Sequence, residues 1–311
     1  MKRVIPCVVI TLAMIFAGSF LPGIGFLGLM LAPLPLSVLG CIDSRKNTSA
    51  AELMIEATLF LAYSPSMAVY FLLGCAPLSA MIFLLSQESF REVRKLTGGE
   101  SVVLCTGASV IFKTILLGAF WFFTGKNMFL PDVRGMEQLM SELYGNQPEL
   151  WESLRRAISL LPHLLPSMLL IYAGIESFLN YTLCLAITRK YFPKSKNFPP
   201  ELPEFKLWKF PVSLFLASVA GFVMSWFIDV ETWLAGTIFV INLQIVVNVV
   251  MFVQGLSVAF WIMDGFKLKK GAKILICLIL TVPFFWPWVI VVGMCEMSIN
   301  LRNRLRFKGS Q

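Results

Sequence analysis

Charged residues are scarce in this chain. Asp, Glu, Lys and Arg make up 14% of its 311 residues, whereas 57% are hydrophobic. A soluble domain carries about 25% charged residues, so this sequence has too little polar surface to face water on all sides. Its mean hydropathy of +0.77 favours a membrane protein. We therefore expect no nucleic-acid partner for its net charge of +8 and ask where along the chain that charge lies.

Metal-binding and catalytic patterns are also missing. The sequence has one histidine, His163, and its seven cysteines form no CxxC pair, which indicates free, buried thiols and no zinc site. It contains no phosphate loop, H-E-x-x-H or G-x-S-x-G pattern. The stretch "GIGFLG" at 23–28 matches a dinucleotide fingerprint, but it links two apolar runs and we interpret it as a turn. We expect no enzymatic activity, no cofactor and no metal.

Long apolar runs are what the chain does have. A helix that crosses a bilayer needs about 20 predominantly apolar residues. Counting runs close to that length, the sequence predicts an all-α polytopic membrane protein with eight or nine hydrophobic helices. The candidate runs are 4–21, 24–42, 48–63, 66–85, 102–124, 160–187, 211–228, 234–263 and 274–297.

The basic residues indicate how these runs are oriented. If all nine cross and the N-terminus is cytoplasmic, most of the 26 lysines and arginines fall in cytoplasmic segments, as the positive-inside rule requires. The basic tail "NLRNRLRFKG" is the exception. Either the last run, which contains Pro283 and Pro287, breaks and turns back, or an earlier pair is miscounted. We expect a bacterial inner-membrane protein whose N-terminus is cytoplasmic.

Two connecting segments divide the sequence. Segment 125–159 carries apolar residues at helical spacing, which is typical of amphipathic helices on the outer surface. Segment 188–210 is a basic, Pro-rich cytoplasmic loop. The predicted organisation is therefore five or six N-terminal membrane helices in 1–187, this loop, C-terminal membrane helices in 211–298, and a basic tail, 299–311.

Glu176 lies in the middle of an apolar run. A charged side chain at the bilayer centre costs about 2.5–3.5 kcal/mol on insertion scales, so it should face the bundle interior and have a partner. Tyr172 and Asn180 share its helix face, since the three residues recur every four positions, and Lys113 lies near the centre of its own run. These four residues either line a cavity that binds a polar solute, or Lys113 and Glu176 form a structural salt bridge; a protonated Glu176 is a third possibility.

A second polar stripe is formed by Gln244 and Asn248, one helical turn apart, with Asn242 and Gln254 offset. Amides within membrane helices often hold helices together, and they can also line a solute site. We carry Gln244 and Asn248 forward as candidate solute-binding residues.

Several stretches, taken together, resemble the YybS-like family of uncharacterised bacterial membrane proteins. They are "LAPLPLSVLG", "LPEFKLWKFPVSL", "VQGLSVAFWIMD" and "VGMCEMSINLRNR", the last with Glu296 and Arg302 as its acidic and basic positions. The resemblance extends distantly to the S components of energy-coupling-factor transporters, and it implies an S-component-like bundle in the N-terminal part. It also implies that Ala13 and Ala17, an Ala-x-x-x-Ala pair on the first helix, contact a partner helix.

The function favoured by the sequence is that of a transporter-type subunit that binds a small polar solute and has no ATPase of its own. Its partners would be the lipid bilayer, a transmembrane coupling protein and ATPases. The alternative is a membrane scaffold or assembly protein that transports nothing.

Overall fold

The computed structural model describes residues 2–21, 25–88, 90, 96–125, 133–144, 148–195, 197–227 and 234–305. Within these ranges the regular structure is entirely helical, which confirms the all-α prediction. The helices are α1 Val4–Phe20, α2 Gly25–Leu31, α3 Leu34–Ile42, α4 Arg45–Ala62, α5 Pro65–Tyr70, α6 Ala76–Ser86, α7 Gly98–Thr124, α8 Val133–Tyr144, α9 Pro148–Leu160, α10 Leu165–Tyr191, α11 Val212–Phe227, α12 Leu234–Gly265, α13 Lys270–Leu280, α14 Trp286–Ile299 and α15 Leu301–Arg304.

Fewer segments than expected are long and apolar enough to span a membrane. Among the described residues there are five such helical segments, or six if the bent pair α13–α14 is one span, against the eight or nine predicted. The apolar helices Val4–Phe20 and Val212–Met224 are too short to count, and α4 carries Arg45, Lys46, Glu52 and Glu56. The five spans are Gly25–Ile42, Pro65–Ser86, Gly98–Thr124, Leu161–Tyr191 and Ala235–Gly265.

The last apolar run does break, as its two prolines predict. Helices α13 and α14 meet at an angle of 81°. Pro283 cannot donate a backbone hydrogen bond, and α13 ends before it at Leu280. Pro287 lies in the first turn of α14, where a helix has no partner for the backbone donor that proline lacks. The indole Nε1 of Trp286 donates to the carbonyl oxygen of Thr281, at 2.7 Å, across the break.

The structure divides into two compact units. Unit 1 comprises Met1–Leu154 and Tyr172–Leu202, and unit 2 comprises Arg155–Ile171 and Pro203–Gln311. The segment divisions expected from the sequence stay a prediction. In unit 1, the fully buried side chains include Ile15 of α1, Leu36 of α3, Ile55 and Leu59 of α4, and Phe71 of the turn that follows α5.

Glycines bring α1 and α2 into backbone contact within unit 1. A Cβ atom on Gly25 would lie 2.5 Å from the carbonyl oxygen of Gly18, and one on Gly28 would lie 2.6 Å from that of Met14. Two glycines of "GIGFLG" are therefore in a helix and serve helix packing, as small residues do in membrane proteins. Our interpretation of the whole stretch as a turn was wrong from Gly25 onward, whereas 22–24 lie outside the described residues.

A π-helical turn, Phe71–Cys75, separates α5 from α6. Pro77 is the second residue of α6, and its ring prevents a regular α-helical hydrogen bond to the preceding turn. Such wider turns frequently occur at functional sites. The turn places Gly74 in the interior of unit 1.

Helix α7 begins with a complete capping box, which explains where the helix starts. The Thr97 hydroxyl accepts a hydrogen bond from the backbone N–H of Glu100, and the Glu100 carboxylate accepts from that of Thr97. These contacts satisfy N–H groups that a helix start leaves without partners. From this fixed start the helix runs for 27 residues.

In unit 2, α12 and α14 cross in direct backbone contact. A Cβ atom on Gly255 would lie 2.0 Å from the carbonyl oxygen of Val289, and one on Gly293 would lie 2.0 Å from that of Met251. The buried residues Val247, Met251 and Met297 pack around the crossing. Glycine is required at both positions because a side chain would push the helices apart.

Candidate functional site

Lys113 on α7 and Glu176 on α10 form an ion pair in unit 1. The Nζ of Lys113 lies 2.7 Å from Oε2 of Glu176, and the exposed fractions of the two side chains are 1% and 0%. Both belong to segments with membrane-spanning character. The structure thus joins the two charges that the sequence places in apolar runs.

The Lys113 ammonium donates to three oxygens. Besides Glu176 it donates to the carbonyl oxygen of Gly74, at 2.8 Å, and to the hydroxyl of Ser109, at 2.9 Å. The Ser109 hydroxyl in turn donates to Oε2 of Glu176, at 2.9 Å. A lysine ammonium has three hydrogens, so its donor capacity is used up by these protein oxygens.

Acceptor atoms on α10 are left over. Oε1 of Glu176, the hydroxyl of Ser177 and Oδ1 of Asn180 are buried and have no hydrogen-bond partner among the described residues. The Asn180 amide nitrogen, by contrast, donates to the carbonyl oxygens of Met30 and Glu176, both at 2.8 Å. We call Ser109, Lys113, Glu176, Ser177 and Asn180 the polar cluster.

Tyr172 lies beside the polar cluster. Its ring centroid is 5.5 Å from Nζ of Lys113 and 5.5 Å from the ring centroid of Phe26. An aromatic face at this distance attracts a cation. The structure therefore brings together four of the predicted site residues: Tyr172, Glu176, Asn180 and Lys113.

Gln244 and Asn248 are not part of this cluster. They lie on α12 in unit 2, where Gln244 is half-buried and Asn248 is exposed. Helical spacing identified a shared face but not which face points inward. The offset amides are the buried ones: Oδ1 of Asn242 accepts from the backbone N–H of Ser167, at 2.9 Å, and Oε1 of Gln254 accepts from that of Phe210, at 2.9 Å.

The two alanines predicted to meet a partner helix lie on α1. Ala13 is exposed and Ala17 is half-buried. The Ala17 carbonyl oxygen would lie 2.9 Å from a Cβ atom on Gly25, so part of the Ala17 backbone faces α2. Ile5, Val9 and Ile10, on the same helix, are also exposed.

In unit 2, Arg302 lies in a network of hydrogen bonds and an ion pair that the sequence analysis did not predict. Its guanidinium donates to the carbonyl oxygen of Lys206, at 2.7 Å, and to the hydroxyl of Ser257, at 2.8 Å. Its Nε lies 3.5 Å from Oε1 of Glu296, and its backbone N–H donates to Oε2 of the same carboxylate, at 3.0 Å. Burial lowers the pKa of Arg302, partly opposed by the Glu296 charge. The only sequence signal was the acidic-then-basic ending.

Asp264 extends the charged part of unit 2. Its carboxylate accepts from Lys206, at 2.7 Å, and from Lys273. Hydrogen bonds to Asp264 and then to Glu204 raise the pKa of Lys206 above its ordinary value. These charges are paired with one another within the protein. We therefore interpret the region as a structural contact that joins the 205–207 turn to the ends of α12 and α13.

The parts of the chain that the structure describes contain no group of three or more His, Cys, Asp or Glu side chains suited to a metal ion. Cys41 and Cys184, both buried, have their Sγ atoms 3.7 Å apart. That proximity has no sequence signal, since the two residues are 143 positions apart.

Comparison with known proteins bears on the class of the chain. A family model described as "Predicted membrane protein (DUF2232)" matches residues 9–297. The chain is 23% identical, over 150 residues, to "Uncharacterized protein YybS" of Bacillus subtilis (strain 168). That match covers 48% of this chain and 47% of the relative, so the chain spans about half the length of the curated relative it matches. No solved structure matches it significantly.

Proposed function

Since the chain belongs to the DUF2232 family of predicted membrane proteins, we propose that it is a transporter-type subunit that binds a small polar solute and has no ATPase of its own. The observation that carries the proposal is the polar cluster of unit 1. There a lysine, a glutamate and an asparagine are at most 1% exposed within a chain that is 57% hydrophobic. Tyr172, beside the cluster, belongs to the proposed site.

A purely structural pair explains such a cluster poorly. Burying two charges costs several kcal/mol per ion, and apolar residues of similar size often stabilise a protein equally well or better. Ionisable residues inside membrane helices are therefore functional by default. The unpaired Oε1 of Glu176 adds to this, because a purely structural carboxylate gains from having both oxygens satisfied.

The proposed function requires protein partners. ATP-driven transport would need a transmembrane coupling protein and ATPases, since the sequence carries no phosphate loop. The exposed Ala13 and the neighbouring Ala17 on α1 would then contact the coupling protein's helices. We place the protein in the bacterial inner membrane with its N-terminus in the cytoplasm and assign it no enzymatic activity.

A scaffold function is the second candidate. Helices α8 and α9, Val133–Tyr144 and Pro148–Leu160, are the observation that favours it, because amphipathic helices bind membrane surfaces or partner proteins. In that case the polar cluster would be structural, and the protein would organise other membrane proteins without binding a solute.

Purification of the tagged protein from its native membranes in mild detergent, followed by mass spectrometry of the proteins that come with it, separates the two candidates. The transporter proposal predicts a coupling protein and ATPases among them. Other envelope proteins, in the reproducible absence of both, would instead support the scaffold. A tagged Ala13→Leu variant tests the contact itself, because a bulky side chain on the exposed face of α1 should release the coupling protein.

A further inference from the structure

All but one of the hydrogen-bond donors of the polar cluster are occupied; the exception among the described residues is the Ser177 hydroxyl. Lys113 donates to Gly74, Ser109 and Glu176, and the two amide hydrogens of Asn180 are given to Met30 and Glu176. The Ser109 hydroxyl donates to Glu176. An anion needs several donors, so a carboxylate or phosphate could gain more than the single Ser177 hydroxyl here only by displacing these contacts.

The acceptors of the polar cluster are open. Oε1 of Glu176 and Oδ1 of Asn180 have no partner among the described atoms, and both side chains are 0% exposed. They lie one helical turn apart on the same face of α10. The unpaired hydroxyl of Ser177, also 0% exposed, is the next residue after Glu176. A buried acceptor without a donor lowers the free energy of unfolding, so these oxygens would gain from contact with a bound cation or hydrogen-bond donor.

The chemical type of these oxygens narrows the class of ligand further. A carboxylate, an amide carbonyl and a hydroxyl suit hard cations and also accept hydrogen bonds from an ammonium group. Lys113 already balances the single negative charge of Glu176, through Oε2, so a further cation is held by the acceptor oxygens and not by an unpaired charge. Oε1 of the same carboxylate remains available to a second positive group, and the nearby Tyr172 ring favours positive charge.

We propose that the polar cluster binds a small monovalent cation, either an alkali metal ion or a primary ammonium group, between Oε1 of Glu176, Oδ1 of Asn180 and the hydroxyl of Ser177. The proposal rests on the proposed function and names the class of its solute. Glu176 then joins two cations: Lys113 through one carboxylate oxygen and the bound cation through the other.

The test uses the full chain in nanodiscs of uncharged lipid, in N-methylglucamine chloride at constant ionic strength. Potassium, sodium and methylammonium chlorides are titrated in, and binding is followed by calorimetry and by the midpoint of thermal unfolding. N-methylglucamine acetate and phosphate form the anion arm. We expect saturable binding of at least one small cation and none of either anion; comparison of the alkali ions with methylammonium tells which of the two cations the site takes.

Ser177→Ala is the decisive variant, because it removes an oxygen that has no partner among the described residues and breaks no protein hydrogen bond found for that oxygen. Loss of one such ligand should weaken cation binding about two- to tenfold. Ser101→Ala is the matched control: Ser101 is buried on α7, donates to the Thr97 carbonyl oxygen, and lies about 12 Å along the helix from Ser109. It should leave cation affinity unchanged.

Two results would overturn the cation site. In the first, acetate or phosphate binds and the cations do not, which leaves the proposed function standing. In the second, nothing binds and Ser177→Ala only raises the free energy of unfolding, as removal of an unpaired buried hydroxyl does; the cation site is then refuted, and co-purification of a coupling protein and ATPases decides the proposed function separately.

Discussion

Lys113 and Glu176 are 63 residues apart in sequence, yet their charged atoms lie 2.7 Å apart and both contact the hydroxyl of Ser109. The three side chains form a closed triangle of hydrogen bonds in the interior of unit 1. Removal of any one member deprives each of the other two of a hydrogen-bond partner. The triangle therefore couples the positions of α7 and α10, whatever further ligand Glu176 accepts.

Single substitutions in the pair should be strongly destabilising, and the double substitution much less so. Lys113→Met alone leaves the buried charge of Glu176 without its partner, and Glu176→Gln alone leaves that of Lys113 without its partner. Either loss costs about 3–5 kcal/mol. In Lys113→Met/Glu176→Gln no charge remains. A double-mutant cycle of unfolding in detergent measures this coupling; additive effects of the two substitutions would contradict the pairing.

Alanine should be poorly tolerated at Gly255 and well tolerated at Gly271. A Cβ atom at Gly255 would meet the Val289 carbonyl oxygen at 2.0 Å, whereas one at Gly271 meets nothing within 4 Å. Overpacking costs about 1–3 kcal/mol, while a helical glycine in open space gains up to about 1 kcal/mol on becoming alanine. Thermal unfolding of the two variants should shift in opposite directions, and equal shifts would mean that α12 and α14 do not cross here.

Cys41 and Cys184 should form a disulfide on mild oxidation. Their Sγ atoms are 3.7 Å apart, and a modest movement brings them to the bonding distance of about 2.05 Å. Copper phenanthroline treatment of membranes, then peptide mass spectrometry, should find this link in wild type and not in Cys184→Ser. Failure to find the link in wild type, with Cys184→Ser as the blank, would count against the packing of α3 on α10.

Sequence reasoning found the charges of the site but not their surroundings. A charge in an apolar run must have a partner, so Lys113 and Glu176 stand out from composition alone. Ser109 and Ser177 gave no signal, because serines are common in membrane helices and periodicity does not say which of them are buried. The Gly74 carbonyl depends on a π-helical turn, which no pattern in the sequence identified.

The span count shows another limit of the sequence. Hydropathy located helices at all nine predicted runs, but it could not tell a spanning helix from a shorter or broken one. The short length of α1 and α11, the four charges of α4 and the break between α13 and α14 separate the helices that do not qualify as spans from those that do. In unit 2, the four amides of α12 were recognised, and only the packing decides that Asn242 and Gln254 point inward.

Arg302→Met should weaken unit 2 far more than Arg304→Met. Arg302 is 7% exposed and ties Glu296, Ser257 and the Lys206 carbonyl together, so its loss leaves a buried carboxylate without its cation, at about 3–5 kcal/mol. Arg304 is exposed, and its change should stay within about 0.5 kcal/mol. Limited proteolysis of the 203–211 segment reports the difference, and equal cleavage in the two variants would be inconsistent with the tie.

Solute binding at the polar cluster is tested by native mass spectrometry of the protein purified from its own membranes, for wild type, Glu176→Gln and the Ser101→Ala control. Circular dichroism first establishes that each is folded, and Ser177→Ala replaces Glu176→Gln if that variant does not fold. We expect a small bound solute in wild type and Ser101→Ala that is reduced or lost in the cluster variant. Equal retention by all three proteins, or no bound solute in wild type under conditions that preserve lipid contacts, would contradict solute binding at the polar cluster.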